Sequence, residues 1–114
     1  MSAENAPDPS IVEANIQELR RGTVVLACLI VLRTPDYGYA LLERLAGFGF
    51  PVDANTLYPL LRRLEKQELL TSDWNTDEAR PRKFYRTTEA GAQLADLLIA
   101  DWNEIQAAIT KLEQ

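Results

Sequence analysis

Apolar positions follow a helical period along most of the chain and give way to a strand-like stretch only once. The densest run, residues 24–32, is nine apolar residues set between Arg21-Gly22 and Arg33. With Ile16 and Leu19 before it, this run predicts a first helix from Ser10 to as far as Leu32. Ser10 and Glu13 supply a capping box, and Gly22 weakens or bends the helix. Thr34-Pro35-Asp36 ends it, because a proline disfavours helical geometry in the residue before it. Leu41, Leu42, Leu45 and Phe48 then form one stripe, predicting a second helix over 38–48 that the Gly47 to Pro51 stretch closes. Asp53 is placed to cap a third helix over 54–67.

Two strands are predicted next, over 69–74 and 83–87, with a polar connector carrying Pro81; together they read as a β-hairpin with a long loop. Thr88 caps the last helix, and Glu89 suits its dipole. In that helix Leu94, Leu98, Trp102, Ile105, Ile109 and Leu112 recur at spacings of four and three, a coiled-coil-like seam. The order is helix, helix, helix, two strands, helix: a mainly α fold with a small β-hairpin. Residues 1–9, with two prolines, are expected to form a flexible tail, 10–88 a folded unit and 89–114 a terminal helix.

At 100° per residue, Leu57, Leu61 and Leu64 share one face of the third helix, with Leu60 at its edge. Asn55, Pro59, Arg62 and Lys66 lie opposite, flanked by Tyr58 and Arg63. Such a stripe is either a solvated face or a reader of nucleic acid. Asn can bond adenine, Arg can bond guanine, and Lys and Tyr can hold phosphate. The context favours reading. Two helices joined by a short loop precede a hairpin whose second arm holds Arg80, Arg82, Lys83 and Arg86, the order of a winged helix-turn-helix.

Composition removes most alternatives. The 114 residues contain no His and one Cys, so the common zinc sites, a Ser–His–Asp triad and an internal disulfide cannot be built within the chain. Cys28 lies inside the apolar run and reads as a small core residue. No enzyme, metal or cofactor is expected. The apolar run is far short of the roughly 20 residues a membrane span needs, and the N-terminus lacks a signal-peptide pattern, so a cytoplasmic protein without a membrane partner is expected.

The net charge of −5 argues against a nucleic-acid partner until it is divided along the chain. Residues 1–19 carry −4 and residues 89–114 carry −4, while 20–88 hold eleven Lys/Arg against eight Asp/Glu, or +3. Screening over about 8–10 Å makes the local sign decisive.

Four segments together resemble the PadR family of bacterial transcriptional regulators, in its short form with one long C-terminal helix. They are LRRGTVVLACLIVL (19–32), DYGYALLERL (36–45), TLYPLLRRLEKQELL (56–70) and PRKFYRTTEAG (81–91). The resemblance implies a winged helix-turn-helix that homodimerises through its terminal helices, binds a palindromic double-stranded operator and usually represses transcription. It implies DNA contacts from Asn55, Thr56, Tyr58, Arg62 and Arg63, joined by Lys66 of the stripe, and from Arg82 and Lys83 of the wing. Tyr37 and Tyr39 match tyrosines of the family, with core packing and capping as the other reading. The dimer seam is Leu94, Leu98, Trp102, Ile105, Ile109 and Leu112. Trp102 further resembles a tryptophan that stacks flat ligands between subunits, implying a small aromatic or cationic effector near Asn15, Leu19 and Asp101; simple dimer packing is the alternative. A winged-helix module that binds another protein instead of DNA is the competing reading of the whole chain.

Two departures from the family pattern bear on the fold. Glu68 stands where members commonly have glycine, at the end of the third helix, so a strained or altered ending is expected. Asp77 and Glu78 make the wing tip acidic and are expected to point away from phosphate. Pro59 is expected to distort the third helix locally without ending it.

Overall fold

The structure, a computed structural model, describes residues 5–77 and 79–114; residues 1–4 of the predicted tail, and Glu78 at the wing tip, lie outside the described residues. The predicted first helix is two helices, α1 (Pro9–Arg20) and α2 (Thr23–Val31). The bend expected at Gly22 is a break. The Thr23 hydroxyl donates to the Arg20 carbonyl at 2.5 Å, and the Arg21 N–H reaches back only to Glu18, at 3.4 Å. A side chain thus takes a bond that would otherwise continue the ladder. Nor does Ser10 cap α1. Asp8 does, accepting from the Ser10 N–H at 2.8 Å and the Ser10 hydroxyl at 2.7 Å. Pro9 opens the helix, where its missing N–H is not needed.

A strand absent from the sequence expectation, β1 (Asp36–Tyr37), leads directly into α3 (Gly38–Gly47). The loop after α3 brings the chain to α4 (Ala54–Lys66), followed by β2 (Leu70–Asn75), β3 (Arg82–Thr87) and α5 (Glu89–Leu112). The three strands form one antiparallel sheet in the order β1-β3-β2. Asp53 caps α4 as expected, accepting from the Thr56 N–H at 2.8 Å. Thr88 caps α5 through the Gly91 N–H at 3.0 Å. The α4 helix runs through Pro59 unbroken. The bond lost there is the one to the carbonyl of exposed Asn55, which water can serve instead.

Leucine dominates the core. Leu29 and Leu32, Leu41 and Leu45, and Leu57, Leu61 and Leu64 meet Leu70, Tyr85 and Ala95. Each fully buried leucine contributes about 1.5–3 kcal/mol over an exposed one. Cys28 is wholly buried, and burial pushes its thiol up to about 12, so it serves as packing. Phe48, expected in the stripe of the second helix, is 70% exposed, because α3 ends at Gly47 and leaves Phe48 as its C-cap.

Polar stitches fix these elements to one another. The Thr87 N–H donates to the Leu32 carbonyl at 2.9 Å, and its hydroxyl to the Leu29 carbonyl at 2.7 Å, tying β3 to the end of α2. Arg44 spans from α3 to Asp36 of β1 at 2.9 Å and to the Val31 carbonyl at 3.3 Å. Gly91 lets α5 approach the backbone: a Cβ there would sit 2.2 Å from the Leu69 carbonyl oxygen.

The seam of α5 divides in two. Leu94 and Leu98 pack on the core of their own chain, whereas Trp102, Ile105, Ile109 and Leu112 stay exposed. Along α1 nothing is buried, and Ile11, Val12, Ile16 and Leu19 face solvent. The radius of gyration is 17.4 Å, against about 13 Å for a compact chain of this length. No helix among the described residues is long and apolar enough to cross a membrane.

Candidate nucleic-acid interface

Helix α4 is displayed by the packing beneath it. Leu57, Leu61 and Leu64 are buried, so the opposite face, with Asn55, Thr56, Pro59, Arg62, Arg63 and Lys66, is held outward in solvent. Among the described residues, no carboxylate lies within ion-pair distance of Arg62, Arg63 or Lys66. Their charge is therefore available to an anion. Tyr58 is different: its ring lies on Gly38, 3.0 Å from where a Cβ would be, so it also wedges α4 against the start of α3.

The hairpin of β2 and β3 stands beside α4. Its register pairs Ser72 with Tyr85, Trp74 with Lys83, and Asn75 with Arg82. Alternation puts Leu70, Ser72, Tyr85 and Lys83 on one face of the sheet and Asn75, Phe84 and Arg82 on the other. On the second face the tyrosines of β1 and α3 meet the wing. Tyr37 stacks on Tyr39 with centroids 5.5 Å apart and meets Phe84 edge-on at 6.0 Å. Asn75 donates to the Tyr37 hydroxyl at 2.6 Å. Arg82 donates to the Tyr39 hydroxyl at 2.5 Å, with its guanidinium 4.9 Å above that ring. The two tyrosines thus join α3 to the wing and orient Arg82.

On the first face stands a residue that sequence reading passed over. Glu65 accepts a hydrogen bond from the Ser72 hydroxyl of β2 through one carboxylate oxygen, and through the other from the Lys83 ammonium of β3, at 2.9 Å. The Ser72 hydroxyl and Lys83 hold the Glu65 carboxyl below the usual range against a smaller effect of burial. Glu65 in turn raises Lys83, whose ammonium also lies 5.2 Å from the centroid of Tyr85. The available signal was its position: Glu65 is the one acid in the sequence of α4, next to the exposed stripe. Lys83, expected to face DNA, has its ammonium on this carboxylate.

Trp102 lines an apolar cleft of about 310 Å³ with Leu26, Ile30 and Val31 of α2 and with Phe48 and Phe50. Asn15 and Leu19 are not brought to it within the chain; they lie along a separate apolar groove on α1, where the Asn15 amide donates to the Ile11 carbonyl at 2.8 Å. Asp101 is exposed beside Trp102 on α5.

The family model of the transcriptional regulator PadR-like family matches residues 25–96 of the chain, from α2 through the wing into α5. The fold is similar to the crystal structure of a PadR family transcriptional regulator from Eggerthella lenta, with a TM-score of 0.88 and 48% identity over 92% of this chain and 94% of that one. It is also similar to a PadR-like transcription factor from Bacteroides fragilis, with a TM-score of 0.72 and 28% identity over 87% and 98% of the two chains. The transcriptional regulator Rv3488 of Mycobacterium tuberculosis is 42% identical over 55 residues, 48% of this chain and 51% of that protein; the match spans about half of the relative's length.

Proposed function

The chain belongs to the PadR-like family of transcriptional regulators, and from that premise we propose that it is a homodimeric repressor that binds a palindromic operator and is released by a small-molecule effector. The observation that carries the DNA reading is the outward face of α4, where Arg62, Arg63 and Lys66 have no carboxylate partner among the described residues. Asn55 and Arg62 read base edges in the major groove, while Thr56, Tyr58, Arg63 and Lys66 hold phosphate. Arg82, oriented by Tyr39, anchors the wing to the adjacent backbone, and Tyr37 supports that arm.

The exposed apolar rows of α1 and of the outer half of α5 support the dimer. Each is too apolar for a solvated helix, and Ile11, Ile16 and Leu19 on α1 and Ile105, Ile109 and Leu112 on α5 stay exposed among the described residues. A two-fold dimer also gives two reading heads for a two-fold operator. The effector binds at Trp102 between the subunits. It shifts the population toward a head spacing that misfits the operator, and for this it must bind that state more tightly. The protein works in the cytoplasm.

A gel shift on the DNA upstream of its own gene, repeated over a range of salt, tests this reading. Arg62→Ala and Lys66→Ala weaken binding, and the variant that loses a phosphate contact shows a salt slope shallower by about 0.9. Unchanged affinity in both variants overturns the assignment of this face to DNA.

A further inference from the structure

We propose that Glu65 is a positioning residue for DNA binding, which locks the wing to the recognition helix by holding Ser72 of β2 and Lys83 of β3, so that Lys83 acts in this lock and not on phosphate. The inference rests on the reading of α4 and the wing as the DNA-binding surface. Three elements meet at one carboxylate. Each oxygen of Glu65 is used once, on a different strand, so the hairpin is held at two points against the last turn of α4. The Lys83 and Glu65 side chains are each 30% exposed, less open than the 80% and 73% of the Arg21–Glu18 pair on α1. Charge-assisted bonds of this kind are directional and fix geometry.

The consequence is a division of labour along β3. Neighbouring residues point to opposite faces of the sheet, so Arg82 and Lys83 are engaged on opposite sides of β3. Arg82 faces Tyr39, and Lys83 faces Glu65. Moving Lys83 onto a phosphate would strand Glu65 near a polyanion, with its charge answered only by the Ser72 hydroxyl. Keeping the pair closed leaves the net charge of that spot near zero and retains the angle between wing and helix.

The test is a mutant cycle read by fluorescence anisotropy on a labelled duplex of the DNA upstream of its own gene, over a range of salt. Glu65→Gln and Lys83→Met each weaken binding by roughly three- to tenfold, and the double variant is no weaker than the worse single one, because both remove the same lock. The salt slope of Lys83→Met stays at the wild-type value. The charge swap Glu65→Lys with Lys83→Glu recovers most of the affinity. Ser72→Ala removes only a hydroxyl and weakens binding about twofold, which keeps the test open should a charge variant unfold. Three results overturn the proposal: tighter binding by Glu65→Gln, a Lys83→Met slope shallower by about 0.9, or a swap that binds no better than the single variants. A wild-type chain that binds no duplex at low salt overturns the DNA reading itself, and this inference with it.

Discussion

Gly49 and Glu68 occupy the same station of the same helix-ending turn. After α3, the Phe50 N–H reaches the Leu45 carbonyl at 2.8 Å and Gly49 reaches Ala46 at 3.1 Å, with Gly49 at φ 90°. After α4, the Leu69 N–H reaches Leu64 and Glu68 reaches Glu65, both at 2.9 Å, with Glu68 at φ 63°. Both are Schellman endings, and both need a left-handed residue. Glycine adopts that conformation freely; glutamate does so at about 1–2 kcal/mol.

Glu68→Gly therefore stabilises the fold. Relief of the left-handed strain is partly offset by the greater freedom of glycine in the unfolded chain, leaving a gain of about 1 kcal/mol or somewhat less. Urea denaturation at constant protein concentration measures it. A loss of stability would show that the Glu68 side chain supplies more than the strain removes.

Gly91→Ala acts in the opposite direction. The new methyl group would fall 2.2 Å from the Leu69 carbonyl oxygen and 2.8 Å from Thr87 Cγ2, and backbone cannot step aside as a side chain can. Pushing α5 off the wing costs about 1–3 kcal/mol, or more if the Thr88 cap is lost with it. A thermal melt reports the change, and a melting temperature equal to that of the wild type counts against the contact.

Much of this was legible in the sequence, and the gaps have physical causes. The α4 face, its Asp53 cap and the Thr88 cap depend on residues within a few positions of one another, so local pattern suffices. The strained ending at Glu68 could be anticipated because one residue type is strongly favoured there. Strand β1 could not, since two residues carry no period; it exists because Asp36 and Tyr37 lie beside β3. The division of the first helix at Gly22 turned on a Thr23 hydroxyl choosing a backbone carbonyl. The pairing of Glu65 with Lys83 spans 18 positions and two elements, and nothing local announces it.

Ile109→Glu and Ile16→Glu test the proposed dimer from its two faces. Both residues are exposed in the single chain, 47% and 46%, so neither change disturbs the core. Sedimentation is expected to show a dimer in the wild type and a shift toward monomer in each variant. Circular dichroism should keep the helical signal of the folded domain. Dimers that persist in both variants place the interface elsewhere.

The Glu65–Lys83 pair also predicts a pH dependence. The Glu65 carboxyl is held below its ordinary 4.5 in the folded chain, so its contribution is fully present above that value and fades as the pH falls through the lowered one. Lys83 is raised above its ordinary 10.5, so its share is present below that value and fades as the pH climbs through the raised one. Acid unfolding of Glu65→Gln should therefore begin from a lower stability at neutral pH and depend less steeply on pH below about 4.5. Parallel acid limbs for variant and wild type count against the assignment.

Thr88 is the single residue between the last residue of β3 and the first of α5, and both it and Thr87 before it are fastened. Thr87 is bonded to α2, and the Thr88 hydroxyl reaches the Glu68 carbonyl at 2.8 Å while its N–H holds Leu69. In the proposed dimer the helix that would assemble and the wing that would read are thus joined by one bonded residue, without slack. Helix α5, about 36 Å long, is a lever arm welded to the wing. In the proposed dimer, a tilt imposed near the Leu112 end of this unbroken helix would reach the wing as a displacement.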